Sequence, residues 1–360
     1  MSKTKLIFYN PSFENGGVEN NIKNLIFLLK KNKNFKIKLI TATPEIKIFN
    51  QKFKTGFPKF LESLCLNRMI RYFFCSLTLF FYCLTDKYTI LSFQNNIASI
   101  IIARITFTKI IVRLNTSTQK YISNIFKKMF FSFFYNLANI IICNSLNFKK
   151  DIKKTFGISA TVLNNFINYS YIKKKKNENI DIKLTKKSCI KILNIGRLTN
   201  QKNQILLLKA LRKVKFNFYL IILGSGKLLQ NLKNFSKRNK LLHKVKFIKF
   251  SKNPYKFLNW CDLFVLTSKY EGMPNVLIEA GYLGKNIISS NCPTGPKELI
   301  KHKFNGLLFK NNSEQALINE FNYYKKNQKK KFGLKLKKEI EKKFNNNENL
   351  KKLISIVQKL

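Results

Sequence analysis

Asp262-Leu263-Phe264-Val265-Leu266-Thr267-Ser268-Lys269-Tyr270-Glu271-Gly272-Met273-Pro274-Asn275-Val276-Leu277-Ile278-Glu279-Ala280 is the stretch that decides the architecture. The apolar run 263–266 has the length of a buried strand. It delivers Glu271 into a turn with Gly272 and Pro274, and proline suits the first turn of a helix because its missing N–H has no intrahelical partner there. Glu279 lies about one and a half helical turns beyond Pro274, so the two acids flank the helix start without having to meet. Taken alone, they also fit a capping acid and an exposed helix residue.

The same strand, turn and helix recur on both sides of this stretch. Upstream, β-rich runs at 6–9, 37–40, 90–93, 109–114, 140–143 and 161–163 alternate with helical segments, the pattern of a parallel α/β sheet. The first run ends in Asn10-Pro11, passes Gly16-Gly17, and enters a helix with apolar Val18, Ile22, Leu25, Ile26 and Leu29 on one face. Residues 168–188 turn polar and lysine-rich, which suits a surface linker. The pattern then restarts at 190–195, 218–223, 245–248, 263–266, 287–290 and 306–309. The expected organisation is a first Rossmann-like domain over 1–168, a linker over 169–187 and a second Rossmann-like domain over 188–344. A terminal helix over 345–360 carries Leu350, Leu353, Ile354, Val357 and Leu360 on one face and needs a packing partner.

Length and composition agree with two cores: 360 residues, 45% hydrophobic and 14% aromatic, exclude a disordered chain. The longest apolar candidate for a membrane span, 73–84, falls short of the roughly 20 residues needed. Seven cysteines without C-x-x-C spacing read as reduced core thiols of a cytoplasmic protein. Two histidines, His243 and His302, leave little material for a histidine-based metal site or a Ser/His/Asp triad, so no metal is expected. A net charge of +51, from 68 Lys and Arg against 17 Asp and Glu, attracts polyanions. It is either compositional or a means of adhesion to an anionic leaflet.

Open α/β sheets bind ligands in the loops beyond the carboxyl ends of their strands. After 190–195 comes Gly196-Arg197-Leu198-Thr199-Asn200-Gln201-Lys202-Asn203, where a guanidinium, an ammonium and helix-start amides can surround one diphosphate. After 218–223 comes Gly224-Ser225-Gly226, which permits close backbone approach to a ligand or simply a tight turn. On the acceptor side, Arg113 and Asn115 follow a strand; Arg113 suits a lipid phosphate or an acidic sugar, and equally an ordinary strand-end role. The stretch 69–84 reads either as a buried helix or as a shallow interfacial one with arginines at the headgroups.

Glu271 and Glu279 with seven residues between them, the preceding Leu-Thr-Ser-Lys-Tyr and the later Ser290-Asn291-Cys292-Pro293-Thr294-Gly295-Pro296-Lys297-Glu298 together resemble the retaining glycosyltransferases of family 4. Gly16-Gly17-Val18-Glu19 and Gly196-Arg197-Leu198 with Gln201-Lys202-Asn203 match that family in order and spacing. The Cys-Pro-Thr-Gly-Pro-Lys-Glu segment is similar to the subgroup that builds lipid-linked oligosaccharides, capsules and lipopolysaccharide. The resemblance implies a GT-B fold: two Rossmann-like domains facing across a cleft, with the terminal helix packing back on the first. It implies transfer of a hexose or N-acetylhexosamine from a nucleotide-diphosphate sugar, UDP favoured, to a lipid-linked or polysaccharide acceptor, with retention and without metal or other cofactor.

By the same resemblance, Arg197 and Lys202 hold the diphosphate, Glu279 the ribose hydroxyls and Glu271 the transferred sugar. Gly272, Met273, Pro274 and Asn275 face sugar and phosphate, Gly224 lines the donor, and Gly16 and Gly17 close the site. Some relatives place a histidine near the sugar, and the first domain here has none. The implied location is the cytoplasm, peripheral on the inner face of an anionic plasma membrane. Two other classes fit parts of the sequence: a GT-B sugar-nucleotide epimerase, and a basic nucleic-acid-binding or membrane-binding protein. Against specific nucleic-acid recognition, the lysines are spread through the chain and no binding motif appears.

Overall fold

The computed structural model describes residues 3–13, 16–31, 34–43, 45–48, 51–55, 67–115, 118, 124–180 and 189–360. Contacts divide the chain into two compact units, 1–167 with 345–360, and 168–344.

The first unit is built on a six-stranded parallel sheet. Its strands are β1 (Thr4–Tyr9), β2 (Phe35–Ile40), β5 (Thr89–Ser92), β6 (Lys109–Arg113), β7 (Ile140–Cys143) and β8 (Thr161–Val162), in the order β2-β1-β5-β6-β7-β8. Side chains alternate across it as the pleat dictates. Ile7, Tyr9, Ile90, Ile110, Val112 and Ile141 face one core, and Leu6, Phe8, Leu91, Ile111 and Ile142 face the other. Between β2 and β5 the chain adds a two-stranded antiparallel hairpin, β3 (Glu45–Ile48) with β4 (Gln51–Lys54). Its Ile46, Ile48 and Phe53 join the second core. The sequence reading missed this hairpin, although its apolar residues alternate with polar ones.

The second core is closed by the helix Gly17–Lys30 and by the terminal helix Asn346–Gln358, whose Leu353, Ile356 and Val357 pack into it beside Ile22 and Leu25. The terminal helix therefore packs on the first sheet, as its apolar face requires. Ile356 rather than Ile354 completes the buried stripe. Asn346 fixes the entry by accepting from the Ile167 N–H at 3.1 Å and donating to its carbonyl at 2.6 Å.

The second unit repeats the plan with β9 (Ile190–Ile195), β10 (Phe218–Leu223), β11 (Val245–Ile248), β12 (Leu263–Leu266), β13 (Asn286–Ser290) and β14 (Leu307–Phe309). The parallel order β11-β10-β9-β12-β13-β14 is the doubly wound 3-2-1-4-5-6 arrangement, with its reversal between β9 and β12. In the first unit the reversal falls between β1 and β5, and among the described residues β2 is the edge strand.

The lysine-rich stretch expected as linker begins instead with a helix, Tyr169–Lys175, capped by Asn168 accepting from the Tyr171 N–H at 3.0 Å. Residues 176–180 continue as turn and coil, and 181–188 lie outside the described residues. The six described cysteines are free thiols, five of them buried, and Cys65 lies outside the described residues. No described helix is long and apolar enough to cross a membrane.

Leu353 is 1% exposed, so Leu353→Ala leaves a cavity and is expected to cost about 2–5 kcal/mol of first-unit stability in urea unfolding. A loss under about 0.5 kcal/mol, the range of surface substitutions, would mean that the terminal helix contributes nothing to this core.

Candidate functional site

The site grows from the strand reversal of the second sheet, where β9 and β12 run side by side and the loops beyond them point to the same edge. The β9 loop holds Gly196 to Asn203, and the β12 loop holds Thr267 to Pro274. They are tied together along their length. The Thr267 hydroxyl donates to the Lys202 carbonyl at 2.9 Å, the Lys269 N–H to the Gln201 carbonyl at 2.8 Å, and the Gln201 side-chain amide to the Tyr270 carbonyl at 3.0 Å.

Across this seam the Lys202 ammonium meets the Glu271 carboxylate at 2.5 Å, with side chains only 16% and 9% exposed. Each charge is largely withdrawn from water, so each needs the other. Arg197 stands exposed on the same loop, with no side-chain hydrogen bond or ion pair among the described residues. Its carbonyl accepts from the Gln204 side chain at 3.1 Å, which fixes the loop and leaves the guanidinium free to move.

The turn from Glu271 to Pro274 is held from the other side by the loop after β13. Thr294 donates its hydroxyl to the Glu271 carbonyl, and the Gly295 N–H reaches the Gly272 carbonyl at 2.9 Å. A Cβ at Gly295 would overlap that carbonyl oxygen, so only glycine permits the approach. Pro274 caps the helix Asn275–Tyr282 rather than occupying its first turn, and no side chain caps the helix start. Gly272, Met273, Pro274 and Asn275 are all buried.

Glu279 follows on this helix, also buried. Among the described residues its carboxylate accepts from the Tyr255 hydroxyl at 3.5 Å. Burial pushes the Glu279 carboxyl up to about 7, the Tyr255 hydrogen bond opposing the rise, and burial likewise holds the Tyr255 phenol well above its ordinary range.

Gly224 packs its Cα against the Gly196 backbone and is partly exposed. A Cβ there would overlap the Gly196 carbonyl oxygen, and one at Gly226 would overlap that of Leu198. The Gly224-Ser225-Gly226 turn therefore supports the Arg197 loop from behind, with the Leu198 N–H donating to the Ser225 carbonyl at 2.9 Å.

In the first unit, Gly16 and Gly17 open the helix Gly17–Lys30 beyond the end of β1. A Cβ at Gly16 would press on the Glu19 carboxylate, which lies buried at this helix start, where a negative charge is favoured. Arg113 ends β6 and is 1% exposed; it donates to the Asn165 side chain at 2.7 Å and to that of Asn115 at 3.4 Å. Asn115 in turn donates to the Phe93 carbonyl at 3.2 Å. The pair thus braces loops at the carboxyl edge of the first sheet, with burial pushing the Arg113 guanidinium down to about 10.

The structure brings Lys202 together with Glu271, with Arg197 on the Lys202 loop; Glu279 stands on the helix that the Glu271 turn opens. Sequence reasoning did not single out Tyr255, because its helix lies far along the chain from Glu279. It quoted Thr294 and Gly295 within a motif without seeing that they clamp the Glu271 turn.

A parallel 3-2-1-4-5-6 sheet with paired cation and carboxylate at its reversal, preceded by a second parallel α/β unit, is the GT-B class of architecture. A family model described as Glycosyl transferases group 1 matches residues 175–354, half of the chain, and the chain belongs to that family.

Among curated proteins, it is 32% identical over 216 residues to the N-acetylgalactosamine-N,N'-diacetylbacillosaminyl-diphospho-undecaprenol 4-alpha-N-acetylgalactosaminyltransferase of Campylobacter jejuni, covering 58% of each chain. It is 32% identical over 202 residues to an uncharacterized glycosyltransferase of Methanocaldococcus jannaschii, covering 53% of this chain and 50% of that one. The chain spans about half the length of the curated relatives it matches. Among solved structures, Anabaena HepE in complex with UDP and glucose superposes with a TM-score of 0.77 at 17% identity, covering 99% of this chain and 100% of that one. The lipopolysaccharide outer core galactosyltransferase WaaB superposes at 0.71 and 17% identity, with the same coverage. At these identities the structural likeness concerns the fold.

Glu279 gives a pH signature. Its carboxyl binds a proton more tightly in the folded chain, at about 7, than in the unfolded chain, at about 4.3. Its contribution to stability is therefore complete below about pH 4.3 and is lost as pH rises through about 7. Across that window wild type should lose stability relative to Glu279→Gln, with no further divergence above it. Parallel stability profiles of the two proteins would show that the carboxyl titrates normally.

Proposed function

We propose that the chain transfers a hexose or N-acetylhexosamine from a nucleotide-diphosphate sugar, with UDP favoured, to a lipid-linked or polysaccharide acceptor, retaining the anomeric configuration and using no metal. The observation that carries the reading is the buried Lys202–Glu271 pair at a sheet reversal, beside an exposed Arg197 and an uncapped helix start. Family membership and relatives named for transfer to diphospho-undecaprenol acceptors support it.

Breaking the anomeric C–O bond leaves charge on a nucleoside diphosphate. Arg197 and Lys202 supply two cations for it on a loop that is already fixed, so little reorganisation is needed as the charge develops. Glu271 receives the transferred sugar's hydroxyls, and the amides from Gly272 to Asn275 face sugar and phosphate. Glu279 takes the ribose hydroxyls, which donate to a carboxylate and so favour its ionised form. We assign Gly16 and Gly17 to donor binding, and Arg113 and Asn115 to the acceptor side, where they brace loops of the first unit. The leaving phosphate can accept the acceptor's proton, so no protein base is assigned. We place the reaction at the cytoplasmic face of the plasma membrane, where a lipid-linked acceptor is within reach.

Two measurements test the reading. A nucleoside diphosphate at about 100 times its dissociation constant should stabilise the protein by roughly 2.7 kcal/mol, with chelator present and well beyond the effect of pyrophosphate. Equal stabilisation by pyrophosphate would reduce the site to general polyanion binding. Arg197→Ala should slow turnover at saturating donor by roughly 100- to 1000-fold. A fall smaller than about fivefold, under 1 kcal/mol of barrier, would remove Arg197 from the reaction.

A further inference from the structure

One layer of the first unit differs from the rest of the described surface. The helices Arg68–Thr85, Asn96–Ile105 and Ile125–Asn136 pack side by side over one face of the first sheet. Their inner residues, among them Cys75, Leu79, Ile100, Ala103 and Tyr135, enter the core. Their outer residues do not turn polar. Of the nineteen exposed large hydrophobic side chains among the described residues, fifteen lie between positions 69 and 146, and the helices covering the opposite face contribute none. Phe73, Phe81, Ile105, Phe126 and Phe133 are representative, with Phe126 78% exposed. The stretch 69–84 is thus buried on one side only.

Phe107 is the extreme case. It is 96% exposed and sits at φ 53°, in the left-handed region, immediately after the helix Asn96–Ile105. The following Thr108 N–H bonds the Ala103 carbonyl at 2.8 Å, which closes the helix in a position glycine ordinarily fills. A bulky residue is disfavoured there, yet the backbone presents its ring to solvent.

Charge selects the occupant. None of the three helices contains an acidic residue, while Arg68, Arg71, Arg104, Lys127 and Lys128 lie on them. A second copy of a chain carrying +51 would be repelled from this face. A broad apolar surface spread over three helices that carry cations and no acid, with Asp86 at the end of the first paired to Lys5, matches the boundary between acyl chains and anionic headgroups. We propose that this layer docks on an anionic lipid bilayer, with its aromatic side chains inserted below the headgroups and its arginines and lysines on the lipid phosphates. The inference does not rest on the transfer reaction, and it makes three helices, rather than net charge, the membrane determinant.

The test must separate insertion from mere attraction, because so basic a chain adheres to any anionic vesicle. Flotation with phosphatidylcholine vesicles containing phosphatidylglycerol should show binding that persists at about 1 M salt, where the screening length is only about 3 Å. The combined variant Phe73→Ser, Phe107→Ser, Phe126→Ser and Phe133→Ser should lower the partition coefficient at high salt by at least about 100-fold, with an unchanged melting temperature. Phe107→Trp should give a blue-shifted emission quenched by lipids brominated on the acyl chains, measured against wild type, whose only tryptophan is Trp260 in the second unit. Absence of quenching, or complete release of wild type at high salt, would overturn the proposal and leave adhesion to charge alone. A wild-type dimer that loses its association in the combined variant while vesicles go unbound would overturn it in favour of a second copy.

Discussion

A lysine and a glutamate that share one hydrogen bond out of water set the geometry of the second unit's ligand edge. Neither Lys202 nor Glu271 could be withdrawn from solvent alone, since an unpaired buried charge costs several kcal/mol. Together they are tolerable, and the condition for pairing is that two loops separated by many residues keep fixed register. The other contacts serve that condition. Thr267, Gln201 and Lys269 lace the loops, Thr294 and Gly295 hold the Glu271 turn from the β13 side, and Gly224 and Gly226 let a third loop press against the backbone of Gly196 and Leu198. A truncation at either charged residue therefore leaves its partner buried and unpaired.

The first unit meets a different constraint with the same building plan. Its strand reversal carries Gly16-Gly17 rather than a cation pair, and the acid there, Glu19, is held at a helix start. Its buried cation, Arg113, forms no ion pair among the described residues; asparagine side-chain oxygens accept its hydrogen bonds. The guanidinium stays charged even with its affinity lowered, so at this edge burial stiffens loops. The two reversals thus divide the labour: the second unit concentrates charge, and the first provides small residues and braced loops.

Much of this was legible in the sequence, for identifiable reasons. Strands buried on both faces are continuous apolar runs, so all twelve parallel strands could be read from composition and spacing. The terminal helix declared itself through its apolar stripe. The hairpin β3–β4 was missed because its strands are four residues long and rich in lysine, leaving a pattern too short to stand out. The helix Tyr169–Lys175 was hidden by its lysines, which read as linker while Ile172 alone is buried. Candidate residues on the strand-end loops could be named because α/β sheets place ligands there. Their supports could not: Tyr255 reaches Glu279 from another helix, and the clamp by Thr294 depends on the β12–β13 pairing. The outer faces of the three first-unit helices were ambiguous for a related reason, since an apolar residue looks the same in sequence whether it meets a core or a lipid.

The scarcity of acids sharpens the meaning of those that are buried. With 17 carboxylates against 68 basic side chains, acids are greatly outnumbered, and Asp86, Glu178, Glu271, Glu298, Glu314 and Glu339 all form ion pairs. Glu279 has none among the described residues, and its neighbour is a neutral tyrosine. Its burial is not repaid by a charge, and its raised proton affinity is the direct consequence. A glutamine would fit the helix at lower desolvation cost. A carboxylate gains over it when hydroxyl donors arrive from outside the chain, because two lone-pair-bearing oxygens can then accept together. Unpaired burial in so cationic a protein is in keeping with the proposed contact between Glu279 and ligand hydroxyls.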